Sequence, residues 1–123
     1  MNKSDSDNNE VEIDKRIYKM RAEICRTLAN PVRIQILDNL KDGERTVNEL
    51  VSITGLRQAN VSQHLAIMRQ AGLVVNRQHG KIIYYSLKNP FIMQACDIIK
   101  QFLVEKLTEN HKIISSVKIT DKT

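Results

Sequence analysis

A mainly α-helical fold with one small β-hairpin is what this sequence predicts, and three observations carry the prediction. Apolar residues recur at helical spacing in five separate segments, several of them opened or closed by Asn-Pro, Gly or a hydroxyl residue. Residues 73–87 depart from that period and form two apolar arms around a Gly-containing tip, the pattern of a hairpin. Just ahead of them, residues 54–72 read T-G-L-R-Q-A-N-V-S-Q-H-L-A-I-M-R-Q-A-G, an amphipathic helix that follows a shorter one across a Thr54-Gly55 turn. Two helices in that order with a hairpin behind them make a winged helix-turn-helix. The first and last of the five helices are left over, each with more apolar surface than this unit needs.

Residues 1–10 are polar and rich in Asn, Asp and Ser, and are expected to be a disordered tail ahead of a domain covering 11–107. Ile13, Ile17, Met20, Ile24 and Leu28 then recur at helical spacing, with a second, smaller stripe of Tyr18, Ala22, Cys25 and Ala29 on the flank. A helix apolar on two sides needs two neighbours, its own core and a partner subunit. Asn30-Pro31 stops it and starts the next helix, with Asn as N-cap and Pro at the first helical position; Ile34, Ile36, Leu37 and Leu40 follow. Lys41-Asp42-Gly43 closes that helix. Thr46-Val47-Asn48-Glu49 is a capping box, which opens a short helix ending near Ile53.

The next helix is the informative one. At 100° per residue, Val61, Leu65 and Met68 fall on one face, while Ala59, Ser62, Gln63, Ala66 and Gln70 fall opposite. The outward face is therefore small and amide-rich. Asn and Gln can make paired hydrogen bonds to an adenine edge, Ser can bond either kind of base pair, and Ala permits close approach to a groove floor. Polar outer faces also occur on helices that merely meet solvent.

Gly72 is expected to cap this helix. Val74 and Val75 form one arm of the hairpin and Ile82 to Tyr85 the other, with Gln78-His79-Gly80-Lys81 at the tip. His79, Lys81 and the nearby Arg77 suit a phosphate or the minor groove. Asn89-Pro90 repeats the helix start, and Ile92, Cys96, Ile99, Leu103 and Leu107 make a long stripe flanked by Ala95 and Phe102. Such a helix is too apolar to stand alone. Residues 108–123 are polar with scattered Ile and Val and carry no assignment.

A chain of 123 residues with 41% apolar content builds one domain with a modest core. Each apolar run is short, so neither a membrane span nor a secretory signal is expected, and the protein is expected in the cytoplasm. Two distant cysteines are no disulfide framework, and in a reducing compartment they are thiols unless used for sensing. Charge is distributed unevenly. Residues 1–14 carry five acids against one lysine, a net −4 in a chain whose total is +5. From Glu49 to Asp97 no carboxylate intervenes, while Arg57, Arg69, Arg77, Lys81 and Lys88 lie inside that window. Phosphate is the natural partner of such a block.

The strings L-A-N-P-V-R-I-Q-I-L, N-V-S-Q-H-L-A-I-M-R-Q-A-G-L-V and G-K-I-I-Y-Y-S-L, in this order, resemble the ArsR/SmtB family of winged helix-turn-helix repressors, over roughly Ile17 to Leu107. The resemblance implies a homodimer joined through the first and last helices, bound to a pseudo-palindromic double-stranded DNA operator and released by an effector. By similarity Gln58, Ala59, Asn60, Ser62 and Gln63 would enter the major groove and residues 77–81 would be the wing tip. Arg57, Arg69, Arg77, His79 and Lys81 complete the expected DNA-binding set. Arg57 departs from the family, which often has a small hydroxyl cap there, so a weaker cap and an added phosphate contact are expected.

The effector is less defined. The family's C-V-C thiolate site corresponds to Thr46-Val47-Asn48, and the last-helix zinc pattern corresponds to Asn89, Phe91, Phe102 and Glu105, which leaves a single ligand. No metal site and no cofactor are therefore expected. His64 reads as a hydrogen-bonded boundary residue. Cys25 and Cys96, one on each seam helix, either pack as small apolar residues or act as a dithiol sensor. Some family members resemble the second case, responding to persulfide or oxidant, although their first cysteine aligns with Asp38 here. Soft-metal or arsenite binding by the same pair is a further alternative. Three histidines, two cysteines and segregated carboxylates give no convergent acid, base or nucleophile, so an enzyme is not expected. A winged-helix module that binds protein without DNA is the main rival.

Overall fold

A computed structural model of the protein describes residues 3–109, with side chains from residue 14 onward. It divides into two units, Met1–Lys88 and Asn89–Thr123. In the first unit, helix α1 (Lys3–Leu28) extends through most of the segment expected to be a tail. No Gly or Pro interrupts the chain before Asn30, so nothing in the backbone stops the helix from propagating. Helix α2 (Pro31–Leu40) starts as the Asn-Pro pair predicts: Asn30 Oδ1 accepts from the N–H groups of Val32 at 2.9 Å and Arg33 at 3.1 Å.

Strand β1 (Arg45–Thr46) and helix α3 (Val47–Thr54) meet at Thr46. The capping box is closed in both directions: Glu49 N–H donates to Thr46 Oγ1 at 3.1 Å, and Thr46 N–H donates to Glu49 Oε1 at 2.9 Å. Helix α4 (Gln58–Gln70) ends in a Schellman turn. Gly72, at φ 83°, donates to the Arg69 carbonyl at 3.0 Å, and Leu73 reaches back to the Met68 carbonyl at 2.9 Å. Only the left-handed conformation closes that pair of bonds, and glycine adopts it without strain.

Strands β2 (Val74–His79) and β3 (Ile82–Leu87) form the hairpin, paired from Val74 with Leu87 to His79 with Ile82. The loop is Gly80-Lys81, and Gly80 has the positive φ, 66°, that two-residue hairpin turns require. Both arms are longer than the apolar pattern indicates, because ladder pairing carries polar Asn76 to His79 along with the strand. The sheet also has a third member, with order β1-β3-β2 and Arg45 opposite Tyr85 and Thr46 opposite Tyr84.

The core of this unit comprises Ile36, Leu37 and Leu40 of α2, Leu50 of α3, Val61, Leu65 and Met68 of α4, and Leu73 and Val74 beyond the Schellman turn. Each such side chain contributes about 1.5 to 3 kcal/mol by leaving water. The second unit holds helix α5 (Phe91–Glu109), where the Asn89 side chain accepts from Phe91 N–H at 2.9 Å. Five helices and a winged helix-turn-helix are thus present among the described residues. The unassigned tail lies outside them from residue 110 on.

Candidate nucleic-acid interface

The turn between α3 and α4 is built by three local bonds. Gly55 N–H donates to the Val51 carbonyl at 2.8 Å with Gly55 at φ 74°, Thr54 Oγ1–H donates to the Leu50 carbonyl at 2.8 Å, and Leu56 N–H donates to Thr54 Oγ1 at 3.2 Å. Thr54-Gly55 is therefore the corner that sets the two helices against each other. Beyond it, Val61, Leu65 and Met68 are completely buried, and this decides which face of α4 is turned inward. Gln58, Ala59, Asn60, Ser62, Gln63, Ala66, Arg69 and Gln70 are all exposed. Among the described residues, no side chain of this group makes a hydrogen bond within the chain. Their donors and acceptors are available to base edges and phosphates.

Arg57 occupies the N-cap position of α4 and makes no side-chain capping bond, as its departure from a small hydroxyl residue leads one to expect. Its charge stands beside the positive end of the helix dipole, a combination suited to an anion.

On the wing, His79 and Lys81 are exposed at the tip, and Gln78 Nε2 donates to the Gly80 carbonyl at 3.1 Å, bracing the loop. Arg77 is not an open cation. Its guanidinium makes a two-pronged bond to Glu44, Nε to Oε1 at 2.9 Å and a terminal nitrogen to Oε2 at 2.7 Å, and lies over the Tyr84 ring 4.6 Å from its centroid. Hydrogen bonding from Arg77 holds the Glu44 carboxyl below the usual carboxylate range. Both side chains are substantially solvated, at 54% and 37% exposure, so the pair orients Arg77 more than it stabilises the fold.

His64 is a boundary residue, half-buried on the flank of α4. Its Nδ1 accepts from Arg33 Nε at 3.2 Å, and Arg33 donates a second bond to the Thr27 carbonyl at 3.0 Å. Burial and then the Arg33 cation hold the imidazole below its ordinary pKa. Arg33 was not among the candidate residues. Its only local signal is its place three residues after the Asn30 cap, and its bond to His64 crosses 31 positions.

Cys25 is exposed on α1 and Cys96 is half-buried on α5, in separate units. Among the described residues no group of three or more His, Cys, Asp or Glu side chains could hold a metal, and no helix is long and apolar enough to cross a membrane. Apolar residues lie exposed on both outer helices: Ile17, Tyr18 and Met20 on α1, and Phe91, Ile98, Ile99, Phe102, Leu103 and Val104 on α5.

Comparison with known proteins adds four findings. A model of the bacterial regulatory protein, arsR family, matches residues 30–75. An uncharacterised helix-turn-helix transcriptional regulator of Mycobacterium tuberculosis, Rv0081, is 35% identical over 103 residues, which make up 83% of this chain and 90% of the relative. The crystal structure of Rv0081 superimposes with a TM-score of 0.70 at 38% identity, over 76% of this chain and 95% of that one. The solution structure of a homodimeric winged helix-turn-helix DNA-binding domain, Mb0332 of Mycobacterium bovis, gives a TM-score of 0.71 at 28% identity, covering 78% and 89% of the two chains.

Proposed function

This chain belongs to the arsR family of bacterial regulatory proteins, and from that premise we propose a homodimeric transcriptional repressor that holds a pseudo-palindromic operator until an effector releases it. It is a DNA-binding transcriptional regulator; the dimer, the contacts and the effector are the proposal. One observation carries the contacts: α4 buries one face completely and leaves Gln58, Ala59, Asn60, Ser62 and Gln63 exposed, with no side-chain hydrogen bond among the described residues. These residues read base edges in the major groove. Arg57, Arg69 and Lys81 take phosphates, with His79 beside Lys81 at the wing tip and Arg77 presented by Glu44.

The dimer rests on the exposed apolar residues of α1 and α5, which a second copy covers, setting the reading helices about 34 to 36 Å apart on one face of the duplex. The protein works in the cytoplasm on chromosomal DNA. A thiol-based effector is the reading for Cys25, exposed in the single chain, and Cys96, half-buried, one on each helix of the proposed seam.

The test selects duplexes from a randomised pool with the full-length protein and compares two variants on them. Gln63→Ala loses about 1 to 3 kcal/mol of preference for the selected duplex over random DNA. Lys81→Ala weakens both alike and reduces the log–log salt slope by about 1. Unchanged discrimination by Gln63→Ala removes the reading face. No enrichment at all, with binding indifferent to salt, leaves a protein-binding module instead.

A further inference from the structure

Arg33 has no place among the groups that face DNA, yet it joins three helices. Its backbone N–H serves the Asn30 cap at the start of α2. Its side chain, half-buried, reaches in two directions: Nε to His64 on α4, and a terminal nitrogen to the carbonyl of Thr27 in the last turn of α1. The Thr27 carbonyl is one of the four that a helix leaves without an intrahelical partner, and a cation at that end is favoured by the helix dipole. Guanidinium geometry is what makes the double bond possible. A lysine ammonium is a single point of charge and cannot hold both acceptors in fixed directions.

Because Arg33 Nε can only donate, His64 Nδ1 must be unprotonated, and the neutral ring carries its proton on Nε2. The ring is thereby fixed in tautomer and orientation. The buried stripe of α4 seats the helix through Val61, Leu65 and Met68, and such contacts are non-directional. They resist lifting the helix but tolerate small rolling about its axis. Base-edge hydrogen bonds tolerate much less, since a roll displaces Gln63 and Ser62 sideways in the groove. A directional bond on the flank of α4 removes that freedom.

We propose that Arg33 is a positioning residue for base reading: by clasping His64 to the end of α1 it fixes the roll of α4 about its axis. The proposal rests on the assignment of α4 as the reading helix.

Its test uses the full chain, the duplexes enriched by wild-type protein and scrambled duplexes of equal composition. Arg33→Lys and His64→Leu each lower the affinity ratio between enriched and scrambled DNA roughly tenfold, with scrambled binding and salt slope unchanged. The double variant is no worse than either single one, because both break one bond. His64→Asn, whose amide oxygen can take the place of Nδ1, keeps most of the discrimination, a rescue that mere packing does not predict. Nitrogen NMR of the ring finds the Nε2–H tautomer in wild type and a mixture in Arg33→Lys, which reads the clasp even where a DNA measurement is compromised by poor folding of His64→Leu. Equal losses on both duplexes with a flatter salt slope would make Arg33 a phosphate contact and overturn the proposal. So would additive effects, failure of His64→Asn to rescue, or an unaltered tautomer in Arg33→Lys. Wild-type protein without preference for any duplex overturns the reading face itself, whereas preference retained by Arg33→Lys overturns the clasp alone.

Discussion

In α4 the apolar residues Val61, Leu65 and Met68 have no exposed surface, whereas in α5 Phe91, Ile98, Ile99, Phe102 and Leu103 keep between 49% and 69% of theirs. Both helices carry an apolar stripe at the same spacing, so sequence periodicity alone does not separate them. The difference lies in where each stripe finds cover. The α4 stripe is satisfied by its own unit, and its polar face is what remains for a ligand. On α5 most of the large apolar side chains are still open, and Met93 is the one buried residue of the helix among those described. An apolar face of that extent signals a partner surface. One helix is finished by folding; the other would be finished by the proposed second copy.

The contrast can be broken most severely at Leu65. Leu65→Ala leaves a cavity in a fully buried site and is expected to cost about 2 to 5 kcal/mol in urea denaturation. Phe102→Lys should do the reverse: the melting of the winged-helix unit survives, while sedimentation shows dimer association weakened by about 2 to 4 kcal/mol. Unchanged sedimentation would mean that the α5 stripe is covered by something other than a second copy. Arg57→Ser sharpens the account of α4. Restoring a hydroxyl cap is expected to stabilise the fold by about 1 kcal/mol, measured by thermal melting, while the loss of a cation reduces the salt slope of DNA binding by about 1.

The smallest expected effect is the pH dependence contributed by His64. Its pKa is lowered in the folded state by burial and by Arg33, so the unfolded chain binds a proton first as the solution acidifies. Its share of stability is therefore present above the ordinary value of 6.5 and is lost as pH falls through it towards the lowered folded value. Comparing wild type with His64→Asn between about pH 7.5 and 5.5 isolates that share. A steeper loss in His64→Asn would contradict the sign.

Much of this fold was legible because its boundaries are set by local chemistry. Asn30-Pro31, the Thr46–Glu49 box and Gly72 each act within a few residues, and each makes the bond its sequence implies. The buried stripe and outward face of α4 follow from helical spacing alone. Other features have no local signature. Strand β1 is two residues long, too short for any alternation, and exists because β3 offers it an edge. The window from Glu49 to Asp97 contains no acid, yet Arg77 meets Glu44, because the fold brings together side chains 33 positions apart. The clasp between Arg33 and His64 is hidden for the same reason: composition counts charges, while the fold decides which of them face each other.

Only three residues, Ala71-Gly72-Leu73, separate α4 from β2, and two backbone bonds close that turn. Helix and wing therefore hold one pitch. An inserted residue there would break that pair of bonds and free the hairpin from the end of α4, with the β2–β3 register still held by its own turn. The outward positions of α4 take no part in seating the helix. With α4 as the proposed reading helix, such a molecule would change what it recognises by substitution at Ala59, Ser62, Gln63, Ala66 and Gln70 while its length and backbone stay fixed. Duplicated copies of one such gene could thus acquire separate targets through point changes alone, each intermediate remaining folded.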